Sequence, residues 1–358
     1  MGFLKNLLVR RAYAVTAMPA DLRFTARAGQ SVLESALAQG IAFPHSCTVG
    51  TCGACKCHLK AGKIREITNF AYVLDAAELR SGVILACQAE PRSDLTLEVP
   101  GLVAKRLHPV SDYDGAIDDV TTLTPDIERV TVRLDRPMAF DAGQYATLEA
   151  PGIHGARAYS MANPPTPGGD TQLTFIIRHV PGGLFTDALF KGDLAGVPLR
   201  VRGPAGNFWL RDSREPLIAI AGGSGLAPLL SMLGEAAERQ VGRPCVVMFG
   251  ARRQADLYAL DTLAAFARKW NGTFEFVAVL AEEPADSDWQ GARGLVTEEI
   301  ATRVRPYASS GTEAYLCGPP GMVDAATRAL CALGIELGNV HFDKFLDGSH
   351  GLQRQSHD

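Results

Sequence analysis

Residues 44–55 have the sequence PHSCTVGTCGAC, and a further cysteine, Cys87, follows 32 positions after Cys55. Cys47, Cys52, Cys55 and Cys87 thus have the spacing C-x4-C-x2-C…C, which is typical of a [2Fe–2S] cluster. One loop would wrap three thiolates around the cluster, and the distant fourth cysteine would complete the ligand set. The spacing therefore predicts Cys47, Cys52, Cys55 and Cys87 as metal ligands.

The small residues of this loop suit the same interpretation, because Gly50 and Gly53 would let backbone N–H groups approach the sulfurs. The alternative is a zinc site or unligated core cysteines. Structural zinc sites usually have two close ligand pairs, whereas here only Cys52 and Cys55 form a C-x2-C pair. Cys57 is expected to be a packed, free cysteine.

The bulk composition excludes several other classes of protein. The 358 residues suit two or three domains, and 47% hydrophobic and 21% charged residues are ordinary for a globular chain. A net charge of −4 does not indicate nucleic-acid binding, and no apolar run approaches the ~20 residues of a membrane span. Arg10 and Arg11 interrupt any secretory h-region, so we expect a cytoplasmic protein with a short N-terminal extension; a transit peptide is the alternative. Without a secretory signal, the cysteines indicate a metal site rather than disulfides.

Three parts of the chain differ in pattern, followed by a polar tail at 347–358. The first part, 1–103, contains the cysteine cluster, and a run with Pro100, Gly101, Pro109 and Gly115 is interpreted as a linker. The second part, 108–212, alternates apolar and polar residues in short segments, which predicts an antiparallel β-barrel. Its clearest alternating segments are 129–134, 173–177 and 197–202.

The third part, 214–346, alternates buried-strand runs with helical patterns, which predicts a doubly wound parallel sheet. The predicted strands include Leu217–Ala221, Val246–Phe249, Phe274–Val279 and Tyr315–Cys317. The predicted helices are Leu226–Arg239, Thr262–Trp270 and Val323–Leu333. The chain as a whole is therefore expected to be a multidomain protein of α+β and α/β class.

Two segments show family resemblance beyond these patterns. The cysteine loop, with residues 84–87 (ILAC), resembles the plant-type ferredoxin domain, which implies a β-grasp fold for the first part. Residues 157–160 (RAYS) resemble the R-x-Y-S motif of the ferredoxin–NADP reductase superfamily. That resemblance implies that Arg157 contacts the flavin phosphate, Tyr159 packs on the isoalloxazine and Ser160 lies near flavin N5, with Ala158 between them. A guanidinium is suited to binding phosphate, and an aromatic ring is suited to stacking on a flavin. For this four-residue motif taken by itself, the alternative is an ordinary exposed strand.

A second flavin segment follows at residues 181–186 (PGGLFT), just before a predicted helix. It resembles the loop of the same superfamily whose backbone N–H groups meet the pyrophosphate at a helix N-terminus. The implied cofactor residues are Gly182, Gly183, Leu184 and Thr186. Because this loop would hold a pyrophosphate, FAD is favoured over FMN.

The nicotinamide site is predicted from two strand-to-helix junctions. At the first, Gly222, Gly223, Ser224 and Gly225 would let a pyrophosphate approach the backbone, although the run departs from G-x-G-x-x-G. At the second, residues 315–322 (YLCGPPGM) resemble the C-G-P-P-x-M segment of these reductases. The resemblance places Cys317, Gly318 and Pro319 at the nicotinamide, with Cys317 near the hydride path. A buried cysteine before a proline-initiated helix is the alternative.

The end of the third part completes the predicted catalytic set of Ser160, Cys317, Asp343 and Phe345. In the superfamily an aromatic residue near the chain end covers the flavin and an acid precedes it by two residues, which implies Phe345 and Asp343. We expect Phe345 to move aside for the nicotinamide; the alternative is that 340–345 is only a last sheet strand. Residues 250–256 contain both arginine and acid, and the resemblance favours NADH over NADPH.

Taken together, residues 12–345 resemble the single-chain reductase components of bacterial multicomponent oxygenases. The implied route runs from NADH through FAD and the [2Fe–2S] cluster to a terminal oxygenase, either directly or through a separate ferredoxin. An aromatic-ring-hydroxylating dioxygenase is the preferred acceptor; a di-iron monooxygenase and a deoxysugar-pathway enzyme are alternatives. A non-catalytic electron carrier or redox sensor is the alternative from a different class.

Overall fold

The computed structural model describes residues 11–45, 48–102 and 108–345. The chain divides between residues 107 and 108 into two compact units. Within the described residues, no helix is long and apolar enough to cross a bilayer. The ligand predicted at Cys47, the first ten residues and the polar tail predicted at 347–358 lie outside the described ranges.

The first unit is built on a mixed five-stranded sheet crossed by one main helix. Its elements are β1 (Ala12–Met18), β2 (Leu22–Arg27), α1 (Val32–Ala38), β3 (Lys56–Ala61), β4 (Ile64–Glu66), α2 (Ala76–Arg80), β5 (Val83–Leu85), β6 (Ala89–Pro91) and β7 (Leu95–Glu98). The sheet order is β2-β1-β7-β3-β5, with β1 and β7 parallel. Helix α1 begins at a capping box of Ser31 and Glu34 and buries Val32, Leu33 and Ala36 in the core. This is the predicted β-grasp architecture.

The first half of the second unit is an antiparallel barrel. Its elements are β8 (Ser111–Thr124), β9 (Ile127–Met138), β10 (Tyr145–Glu149), β11 (Arg157–Ser160), β12 (Asp170–Arg178), α3 (Leu184–Phe190) and β13 (Pro198–Ala205). The strand order is β11-β10-β13-β8-β9-β12. A bridge between Met161 and Phe175 joins the two ends of this order, which confirms the predicted barrel.

The assignment of Gly115 to a linker is wrong. Gly115 lies inside β8, paired with Leu199 on one side and Leu134 on the other. A Cβ at this position would lie 3.1 Å from the Val201 side chain and 3.2 Å from that of Val132. The glycine therefore serves close packing within the barrel rather than a turn.

The second half of this unit is a parallel sheet with helices on both faces. Its elements are β14 (Leu217–Gly222), α4 (Leu226–Glu238), β15 (Cys245–Ala251), α5 (Leu260–Lys269), β16 (Phe274–Leu280), β17 (Ala292–Arg293), α6 (Ile300–Val304), β18 (Glu313–Gly318), α7 (Pro320–Ala332) and β19 (Val340–Lys344). The order β17-β16-β15-β14-β18-β19 places β14 at the centre. Every pairing is parallel. The predicted doubly wound sheet is confirmed.

Both faces of β14 are buried, because its alternate residues pack in two different hydrophobic cores. This explains why the strand has a continuous apolar sequence. Ala219 packs in the core on the α4 side, whereas Ile218 and Ile220 pack in the core on the α7 side. The α4-side core also contains Ile127 and Ile176 from the barrel. The barrel and the parallel sheet therefore share buried side chains within one unit.

Candidate cofactor sites

The described cysteines of the first unit converge as the spacing predicts. Cys52, Cys55 and Cys87 are all buried, and the Sγ atoms of Cys55 and Cys87 are 3.3 Å apart. The hydrogen bond with Cys87 and burial hold the pKa of Cys55 far above its usual value. Such a pair becomes a pair of thiolates only where positive charge is supplied, as metal ions do. The donor set thus fits an iron–sulfur cluster.

The loop around these cysteines depends on two glycines in the left-handed region. Gly50 has φ +81° and Gly53 has φ +75°. A Cβ on Gly50 would lie 2.6 Å from Cγ of Gln88, the residue after Cys87. The Ala54 N–H donates to Cys52 Sγ at 3.5 Å, so a backbone N–H does approach a sulfur, as expected from the small residues of the loop.

Cys57 is separate from this ligand set. It lies on β3 opposite Ile84 and is 1% exposed within the core of the first unit. Burial raises the pKa of its thiol to about 12. The prediction of a packed, free cysteine is confirmed.

The R-x-Y-S segment forms the whole of β11, at one end of the barrel's strand order. Arg157 Nη1 donates to the carbonyls of Gly155 and Ala156, at 3.0 and 3.2 Å. The other guanidinium nitrogens of Arg157 bond to no described residue. Tyr159 packs on Phe185 of α3 with ring centroids 5.6 Å apart, and Ser160 is buried at the strand end. The available guanidinium and the partly buried aromatic ring fit a flavin phosphate and a flavin ring.

The second flavin loop ends at the N-terminus of α3. Gly182 has φ +78° with no atom within 4 Å of a Cβ position, so its outer face is open. Gly183 is the N-cap of α3 and supplies no side-chain cap. Leu184 is 59% exposed. This combination of an open backbone and an uncapped helix start fits the approach of a pyrophosphate.

Thr186 has a structural partner that the sequence does not indicate. Its hydroxyl accepts from the Val180 N–H at 3.2 Å and donates to the Val180 carbonyl at 3.0 Å. The side chain therefore closes the loop on itself, and a direct contact of Thr186 with the cofactor stays a prediction.

The glycine run after β14 divides into packed and open positions. A Cβ on Gly225 would lie 2.3 Å from the Cys317 carbonyl oxygen, and one on Gly222 would lie 2.6 Å from Met322 Sδ. Gly223 has φ +56° and no atom within 4 Å of a Cβ position. Gly222 and Gly225 thus bring the two strand-to-helix junctions together, and Gly223 presents its backbone to an adjoining cavity.

That cavity has a volume of about 380 Å³ at the carboxyl ends of the parallel strands. Its wall includes Gly222 and Gly223 after β14, Gly250 and Ala251 at the end of β15, and Pro319 before α7. In doubly wound sheets, ligands bind at this edge. The volume and position suit part of a dinucleotide.

Cys317 lies beside the segment that contains Asp343 and Phe345, on the neighbouring strand of the sheet. Cys317 is fully buried, opposite Ala221 of β14 and Asp343 of β19. Burial, and then the charge of Asp343, hold the pKa of Cys317 well above its usual value, so the thiol is neutral. The Phe345 N–H donates to the Gly318 carbonyl at 2.9 Å. Residues 340–344 do form a last strand, and Phe345 directly follows it.

Tyr258 is a neighbour of this site that no sequence motif indicates. Its hydroxyl donates to the Gly223 carbonyl at 2.8 Å, and its ring lies in the buried core that also contains Cys317. Tyr258 is 35 residues from Gly223 in the chain, and no local pattern marks it. Only the packing of the segment before α5 against the glycine turn brings it there.

The fold and these sites define an NAD(P)H-dependent iron–sulfur flavoprotein oxidoreductase. Three family profiles match the chain: the 2Fe-2S iron-sulfur cluster binding domain at 15–92, the oxidoreductase FAD-binding domain at 114–209 and the oxidoreductase NAD-binding domain at 219–328. Its cofactors are accordingly a [2Fe–2S] cluster, FAD and NAD(H). The predicted domain limits and the roles of individual residues stay predictions.

Relatives extend over nearly the whole chain. The xylene/toluene monooxygenase electron transfer component XylA of Pseudomonas putida is 42% identical, over 90% of this chain and 91% of that protein. The toluate 1,2-dioxygenase electron transfer component of Pseudomonas putida is 35% identical, over 89% of this chain and 94% of that protein. The crystal structure of the Amycolatopsis cytochrome P450 reductase GcoB has a TM-score of 0.75 at 36% identity, covering 93% of this chain and 98% of that one. The chain belongs to the family of electron-transfer reductase components of oxygenase systems, as the resemblance predicted.

Proposed function

We propose that this chain oxidises NADH at the cavity beside Gly223 and delivers the electrons, one at a time, to the terminal oxygenase of an aromatic-substrate system. The observation that carries the proposal is the meeting of the glycine turn, Cys317 and the Phe345 backbone at the carboxyl edge of the sheet. When bound, FAD accepts a hydride's two electrons and the [2Fe–2S] cluster carries single electrons. The remaining roles belong to residues of the chain.

In this proposal the nucleotide half of the coenzyme lies on the open face of Gly223, with Tyr258 holding the Gly223 carbonyl in place. Cys317 contacts the nicotinamide as a neutral thiol. Because thiolates rather than thiols are nucleophilic, the raised pKa of Cys317 disfavours its addition to the oxidised nicotinamide ring that hydride transfer leaves. Phe345 is held at Gly318 through its backbone, so its ring can move while the chain stays attached.

NADH is the proposed donor because an acid lies where the adenosine ribose is expected. Asp256 lines the cavity just after β15, and a carboxylate after the second strand suits an unphosphorylated ribose. Arg252, which also follows β15, is already paired with Asp256 at 3.0 Å.

The acceptor is proposed as either kind of aromatic oxygenase. A ring-hydroxylating dioxygenase is the preference from sequence, and a relative serves a toluate dioxygenase. The higher identity to a xylene/toluene monooxygenase component, at 42%, favours a monooxygenase. Reconstitution of NADH-driven hydroxylation with one purified oxygenase of each kind separates them, since only the cognate pair couples NADH oxidation to product.

An anaerobic NADH titration of the purified protein tests the internal route. We expect bleaching of the flavin absorbance together with a rhombic [2Fe–2S] EPR signal, because both groups lie on one path from NADH. The proposal is contradicted if dithionite reduces the cluster but NADH does not bleach the flavin. That result would indicate a ferredoxin-type carrier or redox sensor instead.

Arg157→Ala should weaken FAD binding by about tenfold to a hundredfold, since hydrogen bonds to a charged group contribute about 1.5–3 kcal/mol. FAD fluorescence quenching by the apoprotein measures the Kd. Arg129→Ala is the matched control: Arg129 is also a strand arginine of the barrel, exposed where Arg157 is half-buried, and its guanidinium bonds to the Thr121 hydroxyl at 3.0 Å. Equal FAD affinity in the Arg157 and Arg129 variants would remove Arg157 from the flavin site.

A further inference from the structure

A network of ionic hydrogen bonds crosses from the barrel to the parallel sheet at the wall of the coenzyme cavity. Asp126, Arg178, Arg252 and Asp256 all line this cavity. Arg252 bonds both carboxylate oxygens of Asp256, at 3.2 and 3.0 Å, and Oδ2 of Asp126 at 2.9 Å. These bonds use three of the five N–H groups of the guanidinium. Its positive charge is therefore shared between two carboxylates.

Asp126 is held in place from within the barrel. It lies in the turn between β8 and β9, where its Oδ1 accepts from Thr124 Oγ1 at 3.2 Å. Its backbone carbonyl accepts from the His179 N–H at 2.8 Å. The side chain is 29% exposed, so solvent screens its charge only in part. The flavin-binding half of the unit thus contributes a fixed negative charge to a cavity formed mainly by the other half.

We propose that Asp126 is a coenzyme-selectivity residue, which disfavours the 2′-phosphate of NADPH at the cavity wall. The inference rests on the proposed function, because it takes the cavity as the site of the adenosine ribose. Selectivity is then set from the barrel, and not by the residues after β15 alone.

The charges explain why a 2′-phosphate is disfavoured. An arginine that recognises phosphate has several N–H donors available for the phosphate oxygens. Arg252 instead uses three of its five N–H donors on Asp126 and Asp256. Together these three side chains carry one net negative charge and repel a phosphate dianion placed beside them, whereas Arg178 brings the four charged side chains of the whole cavity wall to zero. A ribose 2′-hydroxyl can instead donate a hydrogen bond to the Asp256 carboxylate, which Asp126→Asn leaves in place. Arg178, the other cation in the cavity wall, is the group through which a 2′-phosphate could still bind.

Asp126→Asn is the direct test, because the amide keeps the shape, its oxygen can still accept from Arg252, and its NH2 group can donate to the Thr124 hydroxyl in place of the bond accepted there. The probes are ADP-ribose and 2′-phospho-ADP-ribose, whose affinities are measured by calorimetry on the holoprotein without any need for turnover. We expect the variant to bind 2′-phospho-ADP-ribose about tenfold more tightly than the unsubstituted protein at low salt. Affinity for ADP-ribose should stay within about twofold, and the gain should shrink between about 50 mM and about 500 mM NaCl.

Asp119→Asn is the matched control. Asp119 lies on the same hairpin, is exposed, and accepts from a threonine hydroxyl two residues away, Thr121, at 2.9 Å. It does not line the cavity, so its removal should leave the ratio of the two affinities unchanged.

The outcomes separate this inference from the proposed function. The role of Asp126 is overturned if Asp126→Asn leaves the ratio of the affinities for the two probes unchanged, or if Asp119→Asn gives the same gain in affinity for 2′-phospho-ADP-ribose. In either case the proposed function stands as long as NADH still bleaches the flavin. Tighter binding of the phosphorylated probe than of ADP-ribose by the unsubstituted protein also overturns the role of Asp126. Failure of both probes to bind overturns the proposed cavity itself, and the inference with it.

Discussion

Cys87→Ala should abolish one-electron transfer while leaving NADH-dependent flavin reduction intact. Cys87 and Cys55 form the close sulfur pair of the first unit, at 3.3 Å. Removal of one thiolate leaves an iron without its fourth ligand, and the cluster should be lost. We expect NADH-dependent cytochrome c reduction to fall about a hundredfold or more. Iron and sulfide content and the EPR signal measure the cluster, and anaerobic flavin bleaching measures the step before it.

Cys57→Ala is the control for general damage to this core. Cys57 is as buried as Cys55, in the same cluster of side chains. Its truncation should cost about 1 kcal/mol of folding free energy and leave the iron content unchanged. A Cys87→Ala protein with full iron content, or a Cys57→Ala protein without iron, contradicts the ligand assignment.

The second large effect is expected from Gly225→Ala, which should destabilise the second unit. The added Cβ would lie 2.3 Å from the carbonyl oxygen of Cys317 and 2.8 Å from Cα of Gly318. Both are backbone atoms of the neighbouring junction, so no side-chain rotation relieves the overlap. We expect a loss of about 3 kcal/mol or more in the free energy of unfolding. Thermal unfolding followed by flavin release should show a Tm lower by about 10 °C.

Gly223→Ala separates folding from coenzyme binding at the same turn. Nothing lies within 4 Å of its Cβ position, and its φ of +56° costs a non-glycine residue about 1 kcal/mol. This variant should fold, with a small decrease in Tm, and should raise the KM for NADH because Gly223 lines the coenzyme cavity. If Gly225→Ala unfolds at the same temperature as the unsubstituted protein, the two junctions are not packed as tightly as described.

Much of the architecture was predictable because its determinants are local in the chain. The alternation in 129–134 and 173–177 falls within β9 and β12, that in 197–202 falls within β13 except for its first residue, and the glycine run begins where β14 ends. Side-chain periodicity follows directly from backbone geometry, so it can be found without knowing the neighbours. Gly115 shows the limit of such local evidence. Glycine favours turns by default, but here the crowding of Val132 and Val201 required one inside a strand.

Residue roles were less predictable because a side chain's partner is chosen after the chain has folded. Thr186 has the residue type and position of a phosphate contact, yet its hydroxyl bonds Val180. Tyr258 reaches Gly223 from 35 residues away, and no motif includes both. Their contacts follow from how segments pack, which short-range patterns do not specify.

The sequence by itself determined the three-part order, the cysteine spacing and the two strand-to-helix junctions, because each depends on residues close together in the chain. The tertiary structure alone decided the charge balance at the coenzyme cavity. Arg252 lies in a segment with both acids and arginines, and its sequence is compatible with either coenzyme. Asp126 joins it from 126 residues away, and that long-range ion pair exists only because the barrel packs against the parallel sheet.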